Sequence, residues 1–127
     1  QPLQFEWTME RIARCEAQIM ATVRQLAGRG VPALLDLGFT TRDHRDRFRA
    51  LAQEAGLSLQ IHFLDVPADE RWARVSRRNT ERGETFAMEV DRQMFDFMEG
   101  MWQPPQAAEW QAGGGCRIGS DGQVTSA

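Results

Sequence analysis

The chain contains no lysine, only two cysteines and no long apolar run. All fifteen of its basic residues are arginines, which stay charged and hold phosphate or carboxylate through two parallel hydrogen bonds. Because no stretch of about 18 apolar residues is present, the sequence predicts no membrane-spanning helix and no membrane partner. The N-terminus lacks the basic-then-apolar order of a signal peptide, so we expect a cytoplasmic protein.

The small number of cysteines, the lack of recognisable catalytic or metal-binding patterns and the low net charge argue against several classes of function. Cys15 and Cys116 lack the short spacing of a metal site, which favours reduced thiols used for packing. Neither a Ser/His/Asp arrangement nor a metal-ligand cluster is recognisable. The formal net charge of −3 argues against nucleic acid as a general partner. With 127 residues, 42% apolar and 26% charged, the chain has the composition of one folded domain.

Apolar residues follow helical spacing in some segments and form short runs in others. Helical spacing predicts helices at 5–28, 41–56, 68–82 and 87–102. Short apolar runs predict strands at 31–39 and 57–67. The first run, VPALLDLGF, is nearly all apolar, which is typical of a strand buried on both faces. Four residues of the last helix are predicted to be core: Met94, Phe97, Met98 and Met101.

This alternation of helices and strands predicts an α/β sheet joined by right-handed crossovers. Ligands of such sheets bind beyond the carboxyl ends of the strands. Asp36 and the loop 38–42 follow the first predicted strand, and Asp65 follows the second. Asp36 interrupts an apolar run, where a buried carboxylate is costly unless it is paired or metal-bound. It is therefore either a strand-end residue bonded to nearby amides or Arg42, or a carboxylate that orients magnesium or activates a hydroxyl.

The third predicted helix carries five arginines within twelve positions, 71 to 82. At 100° per residue, four of them fall within an arc of about 80°: Arg71, Arg74, Arg78 and Arg82. Only Glu70 and Arg74 form a compensating pair at helical spacing. The stripe is either a solvated charged face or a phosphate clamp left unneutralised. Asn79 would add an amide contact to such a clamp, and Gly83 would release a mobile segment.

Three segments, in order, resemble a known family: LLDLGFTTRDHRDRF, HFLDVPADERWARVSRRNTERGETF and MWQPP. They look like the second half of bacterial AAA-type P-loop ATP-binding proteins, kinase-like relatives of zeta toxins and chloramphenicol phosphotransferase. The resemblance covers residues 1–105 and leaves 106–127 as a glycine-rich tail with at most one short strand, at 116–118. It implies a three-layer, P-loop NTPase-like α/β domain with a parallel sheet.

The resemblance also implies ATP and magnesium as cofactors. Asp36 would take a Walker-B-like position and reach magnesium through water. Arg74 and Arg78 would act in catalysis and, with Asn79, bind the nucleotide. The family also has a segment near the transferred phosphate or the acceptor, and the matching residues here are Thr40, Thr41 and Arg42. These residues would bind substrate.

One part of the family pattern is absent, because a chain without lysine cannot contain the phosphate loop G-x-x-x-x-G-K-[ST]. In the family's sheet, the strand before that loop lies between the two strands predicted here. We therefore expect these residues to belong to a longer protein with an N-terminal strand, loop and helix. The alternatives are a complete chain whose strands pair directly or swap between protomers, and a degenerate domain that has lost catalysis.

The main functional hypothesis is an ATP-dependent phosphotransferase, or an ATPase, acting on an unidentified small-molecule or protein acceptor. Catalysis in this class is mostly positioning and charge neutralisation, which arginines can supply. The alternative is a non-catalytic binding module that holds an acidic protein, nucleotide or RNA on the arginine-rich helix. A third hypothesis is an interaction subunit that forms homo-oligomers through exposed strand edges.

Overall fold

The computed structural model of the protein describes residues 5–84 and 86–126. Within them the helices are α1 (Phe5–Ala27), α2 (Arg42–Glu54), α3 (Ala68–Glu81), α4 (Arg92–Met101) and α5 (Ala107–Gln111). The strands are β1 (His62–Asp65), β2 (Cys116–Gly119) and β3 (Val124–Thr125). The chain divides into two compact units, Gln1–Leu37 and Gly38–Ala127.

The first unit consists of α1 and the segment that follows it. Glu6 in the first turn and Arg24 in the last turn both complement the helix dipole. Gly30 adopts a left-handed φ of 74°, and its N–H donates to the Ala27 carbonyl at 2.9 Å. The helix predicted at 5–28 is confirmed, together with its glycine stop.

The predicted buried strand at 31–39 is wrong. These residues, all of which the structure describes, contain no strand, and Leu34 is 97% exposed. Asp36 is also exposed, so the cost of burying its carboxylate does not arise. An apolar run becomes a strand only when a neighbouring strand satisfies its backbone N–H and C=O groups. The apolar pattern of the run indicates a propensity to form a strand, but it does not show whether a neighbouring strand is available to pair with it.

The second unit contains a three-stranded mixed sheet in the order β1-β2-β3. β1 and β2 are parallel, with His62 opposite Cys116 and Asp65 opposite Gly119. β3 runs antiparallel to β2. The predicted α/β class is confirmed in this coarse form, whereas the prediction of an all-parallel sheet is wrong for these strands. The tail contributes α5 and two strands, so the prediction of at most one strand there was too low.

The glycine triplet in the tail allows β2 to lie beside β1. A Cβ atom at Gly115 would overlap the Ile61 carbonyl oxygen and would lie 2.6 Å from the Trp110 carbonyl oxygen. Only glycine permits so close a backbone approach. The Cys116 N–H, next along the chain, donates to the Ile61 carbonyl at 3.0 Å. The triplet, which reads as a flexible tail in the sequence, is therefore the close-packed turn that leads into β2.

α2 forms as the sequence predicts. Thr41 is its N-cap, and the Thr41 hydroxyl accepts a hydrogen bond from the His44 N–H at 3.2 Å. Phe48 and Ala52 lie one turn apart on its buried face. The ring of Phe39 meets that of Phe48 edge-on, with 5.1 Å between centroids.

α4 buries a different face from the one predicted. Asp91 caps its N-terminus, and Phe95 is buried with its ring centroid 5.3 Å from that of Trp72. The four predicted core residues are 40–69% exposed instead: Met94, Phe97, Met98 and Met101. Helical spacing identifies an apolar stripe, but only the packing of neighbouring elements decides which stripe is covered.

A buried ion pair joins α2 to α5. Arg45 Nε lies 2.9 Å from Glu109 Oε1, and both side chains are only 4% exposed. The same guanidinium donates to the Phe39 carbonyl at 2.8 Å, and the Gln106 N–H donates to Glu109 Oε2 at 3.2 Å. Arg49 adds a bond to the Glu109 carbonyl at 3.2 Å. Both charges are thus paired and hydrogen-bonded, which their burial requires. No local pattern in the sequence indicates this pair, because its two members lie 64 positions apart.

The pair makes stability depend on acid pH. Burial raises the pKa of Glu109, but hydrogen bonds from Arg45 and Gln106 and the charge of Arg45 outweigh it, so the pKa lies below the ordinary 4.5. A carboxyl whose pKa is lower in the folded state than in the unfolded state stabilises the folded protein at pH values above the unfolded-state pKa. That stability is lost as pH falls through the folded pKa.

We therefore expect the free energy of unfolding to fall on acidification below about pH 4.5, where the unfolded glutamate begins to bind a proton. Urea titrations at a series of pH values measure this fall. The variant Arg45→Met/Glu109→Leu lacks the carboxylate and should show a shallower acid slope than the wild type. Equal slopes in the two proteins would contradict the assignment.

Candidate functional site

The candidate site is built on α3, the arginine-rich helix. Asp69 and Glu70 lie in its first turn and Arg78 in its last, an order that complements the helix dipole. Arg82 follows as the C-cap in the left-handed region, with φ 48°, and its N–H donates to the Arg78 carbonyl at 2.9 Å. The helix predicted at 68–82 is confirmed within one residue.

Arg71 does not take part in an unneutralised stripe. Its guanidinium makes two hydrogen bonds to the Glu99 carboxylate on α4, one of them at 3.1 Å from Nη2 to Oε2. Its Nε donates to the Val66 carbonyl at 2.9 Å. Because all these donors are engaged within the fold, Arg71 ties α3 to α4 and has a structural role.

Two further arginines of the stripe also have acidic partners. Arg74 Nη2 lies 2.8 Å from Glu70 Oε1, and Arg82 Nη2 lies 3.5 Å from Glu89 Oε2. The expectation of an unneutralised stripe is therefore wrong. Of the acids involved, only Glu70 lies at helical spacing; Glu89 and the Glu99 partner of Arg71 come from later segments of the chain.

Arg78 is the exception. Its Nε is buried and has no hydrogen-bond partner within the ranges 5–84 and 86–126. A buried donor without an acceptor is costly, and such groups in a folded protein call for an explanation. Arg78 lines an open concavity of about 290 Å³. Its other lining residues are Arg74, Val75, Arg77, Glu81 and Gly83.

Two charged residues that line the concavity, Arg77 and Glu81, were not among the predicted site residues. Arg77 and Glu81 lie one helical turn apart on α3, a spacing that was available in the sequence but was not used. Among the described lining residues, three are arginines and one is acidic, so the concavity carries net positive charge. Such a site suits an anion, and a volume near 300 Å³ is at the small end of ligand pockets.

Asn79, predicted to contact nucleotide, is engaged elsewhere in this structure. Its amide Nδ2 donates to the Val90 carbonyl at 2.6 Å, and its Oδ1 accepts from the Val90 N–H at 3.0 Å. Both polar atoms of the side chain thus hold the backbone of one residue that lies just before α4.

The loop predicted to bind substrate is held by the segment MWQPP. The Gln103 N–H donates to the Thr40 carbonyl at 2.9 Å, and the Arg42 N–H donates to Gln103 Oε1 at 2.9 Å. Thr41 uses its hydroxyl as the α2 cap. The structure therefore brings two of the three resembling segments together. Substrate contact by this loop stays a prediction.

The same loop begins with two left-handed residues. Gly38 has φ 81° and Phe39 has φ 47°. Glycine adopts this conformation freely, but a bulky residue such as Phe39 does so only at an energetic cost. The Phe39 carbonyl is held by Arg45 and its ring by Phe48, which offsets that cost.

A second concavity, of about 250 Å³, lies at the carboxyl end of β1. Asp65 lines it together with Trp102, and Asp65 Oδ2 lies 2.7 Å from Arg117 Nε on β2. This position agrees with the rule that ligands meet α/β sheets at the carboxyl ends of strands.

Asp36 lies in the first unit, whereas both concavities lie in the second. Among the described residues, no three metal-ligating side chains form a group. Asp36 is one exposed carboxylate, and magnesium in nucleotide sites is usually held by one or two carboxylates together with phosphate oxygens and waters. The convergence of Asp36 with the α3 arginines stays a prediction.

Comparison with protein families decides the class. The family described as AAA domain matches residues 2–105. The chain belongs to the AAA domain family. This AAA domain is of the P-loop NTPase type, which is a nucleotide-binding, kinase-like α/β class. No curated protein and no solved structure matches the chain.

The three resembling segments and all predicted site residues of the AAA domain lie within the matched range, whereas β2, which pairs with β1, lies beyond it. In the described residues, no helix is sufficiently long and apolar to cross a membrane.

Proposed function

We propose that this AAA domain binds ATP with magnesium and is an ATP-dependent phosphotransferase for an unidentified small-molecule or protein acceptor. Family membership supports nucleotide binding. The observation that carries the proposal further is the buried, unpaired Nε of Arg78 in a concavity with Arg74 and Arg77. We place the protein among the bacterial kinase-like relatives of zeta toxins and chloramphenicol phosphotransferase.

Phosphoryl transfer depends on neutralising charge around the transferred group. Arg78 lines the concavity, and its Nε is a donor without a partner among the described residues; because this atom is buried, the side chain would shift to bring it to a phosphate oxygen. Arg74 must leave Glu70 to join it, but that pair is about half exposed, with side chains 54% and 40% accessible. Exposed ion pairs contribute about 0–1 kcal/mol, so a triphosphate can compete for Arg74 at little cost.

No lysine is present to contact the β- and γ-phosphates. Arginines therefore supply the permanent positive charge of these 127 residues, and we assign the phosphate contact to the three that line the concavity, Arg74, Arg77 and Arg78. Magnesium, when bound with ATP, would neutralise further phosphate charge, and Asp36 would hold one of its waters. Thr40, Thr41 and Arg42 would face the acceptor, on the loop that Gln103 holds.

Calorimetric titration of the 127-residue chain tests the proposal. We expect saturable, salt-dependent binding of ATP with magnesium and of tripolyphosphate, and no binding of adenosine, because the arginines recognise phosphate. The outcome that would contradict ATP binding is the absence of any heat with ATP at millimolar concentrations. Salt-dependent binding of RNA without a response to ATP would favour the non-catalytic binding module instead.

A further inference from the structure

Asn79 makes a reciprocal pair of hydrogen bonds with the backbone of Val90, eleven residues along the chain. The amide donates through Nδ2 at 2.6 Å and accepts through Oδ1 at 3.0 Å. A side-chain amide that faces one backbone residue in this way satisfies an N–H and a C=O outside regular secondary structure. The contact is part-buried, so water competes with it less than at the surface.

The same region is held at a second point. Arg82 takes a left-handed conformation that turns the chain sharply at the end of α3, and its Nε donates to the Asn79 carbonyl at 3.3 Å. Arg82 also pairs with Glu89, the neighbour of Val90. Gly83, the residue after this turn, forms part of the wall of the Arg78 concavity. Asn79 therefore joins α3 to Val90, which ends the segment that follows this helix. Gly83, which begins the same segment, lines the concavity.

We propose that Asn79 is a positioning residue that acts through Val90 and does not contact the nucleotide. By holding Val90 at the start of α4, it keeps Gly83 in the concavity wall and so maintains the environment of Arg78. The functional part of this inference rests on the proposed ATP site. The Asn79–Val90 contact itself can be tested without any ligand.

The variant Asn79→Ala tests whether the contact with Val90 forms and whether its loss weakens phosphate binding. In the ligand-free protein, the Val90 N–H should exchange with solvent about three- to tenfold faster, because its acceptor is gone. The dissociation constants of ATP and tripolyphosphate should rise together by about three- to tenfold, since a positioning effect does not depend on the nucleoside. Thr80→Ala is the matched control. In the described residues, the Thr80 hydroxyl donates to the Ser76 carbonyl at 3.1 Å within the same helix, and its removal should change neither quantity.

Exchange in the wild type provides the decisive comparison. If Asn79 holds Val90 throughout, the Val90 N–H stays protected when ATP is added. If Asn79 instead turns to the ligand, ATP must break the contact and exchange at Val90 becomes faster, which would overturn the proposal. Unchanged Val90 exchange in Asn79→Ala would also overturn it. A failure of ATP to bind would count against the proposed function, while the ligand-free exchange would still decide whether the contact holds Val90.

Discussion

Replacing Arg45 with methionine is expected to lower the free energy of unfolding by about 3–5 kcal/mol, because it leaves the Glu109 carboxylate buried without its partner. Both side chains are 4% exposed, so water cannot replace the guanidinium without opening the contact between α2 and α5. The substitution also removes the donor to the Phe39 carbonyl, which helps to hold a left-handed residue.

Urea denaturation of the purified variants measures the loss. Arg42→Met is the matched control on the same helix, because the Arg42–Asp46 pair is 55% and 50% exposed and is worth about 0–1 kcal/mol. The double variant Arg45→Met/Glu109→Leu should regain much of the loss, since no buried charge remains. An Arg45→Met cost no larger than that of Arg42→Met would show that the pair does not stabilise the fold.

Replacing Arg78 with alanine is expected to weaken ATP binding by about tenfold or more, which is the effect of losing one charged hydrogen bond to phosphate. Turnover should fall at least as far if the guanidinium also stabilises charge in the transition state. Stability should change little, because the buried Nε has no partner among the described residues and its removal relieves an uncompensated group.

Calorimetric titration with ATP measures the expected loss of affinity. Urea denaturation of the same preparations measures the change in stability. Arg14→Ala is the control for charge: it removes one arginine from an exposed pair with Glu10 on α1. Its ATP affinity should match that of the wild type. If both variants bind ATP equally well, Arg78 is not the phosphate contact.

The helices were predictable because their signals are local. In α2, the cap Thr41 and the buried residue Phe48 lie within about two helical turns of each other, and the helix predicted at 41–56 is confirmed at Arg42–Glu54. In α3, the predicted bounds were correct to within a residue. Side chains three and four positions apart meet on any helix, so the exposed Glu70–Arg74 pair also follows from spacing alone.

The remaining site features depend on residues far apart in the chain. Arg45 meets Glu109 across 64 positions and Arg71 meets Glu99 across 28, and no local pattern predicts either pair. The Arg71–Glu99 pair changes the interpretation of the arginine stripe. Since Arg74 and Arg82 also have acidic partners, Arg78 is the one of the four with a buried, unpaired donor among the described residues. Asn79 likewise meets a partner, Val90, that lies eleven residues away and that no local pattern predicts.

The sequence by itself determined α1, α2 and α3, the α/β class, the concentration of arginine on α3 and the lack of a lysine-bearing phosphate loop, but it did not predict α5 and placed the start of α4 five residues too early. Tertiary structure alone decided that 31–39 is not a strand, which face of α4 is covered and which arginine of the stripe keeps an unpaired donor. The physical reason is the range of the forces involved. Helix propensity, capping and spacing act within one or two turns, whereas strand pairing, burial and ion pairing require partners that only the folded chain brings together.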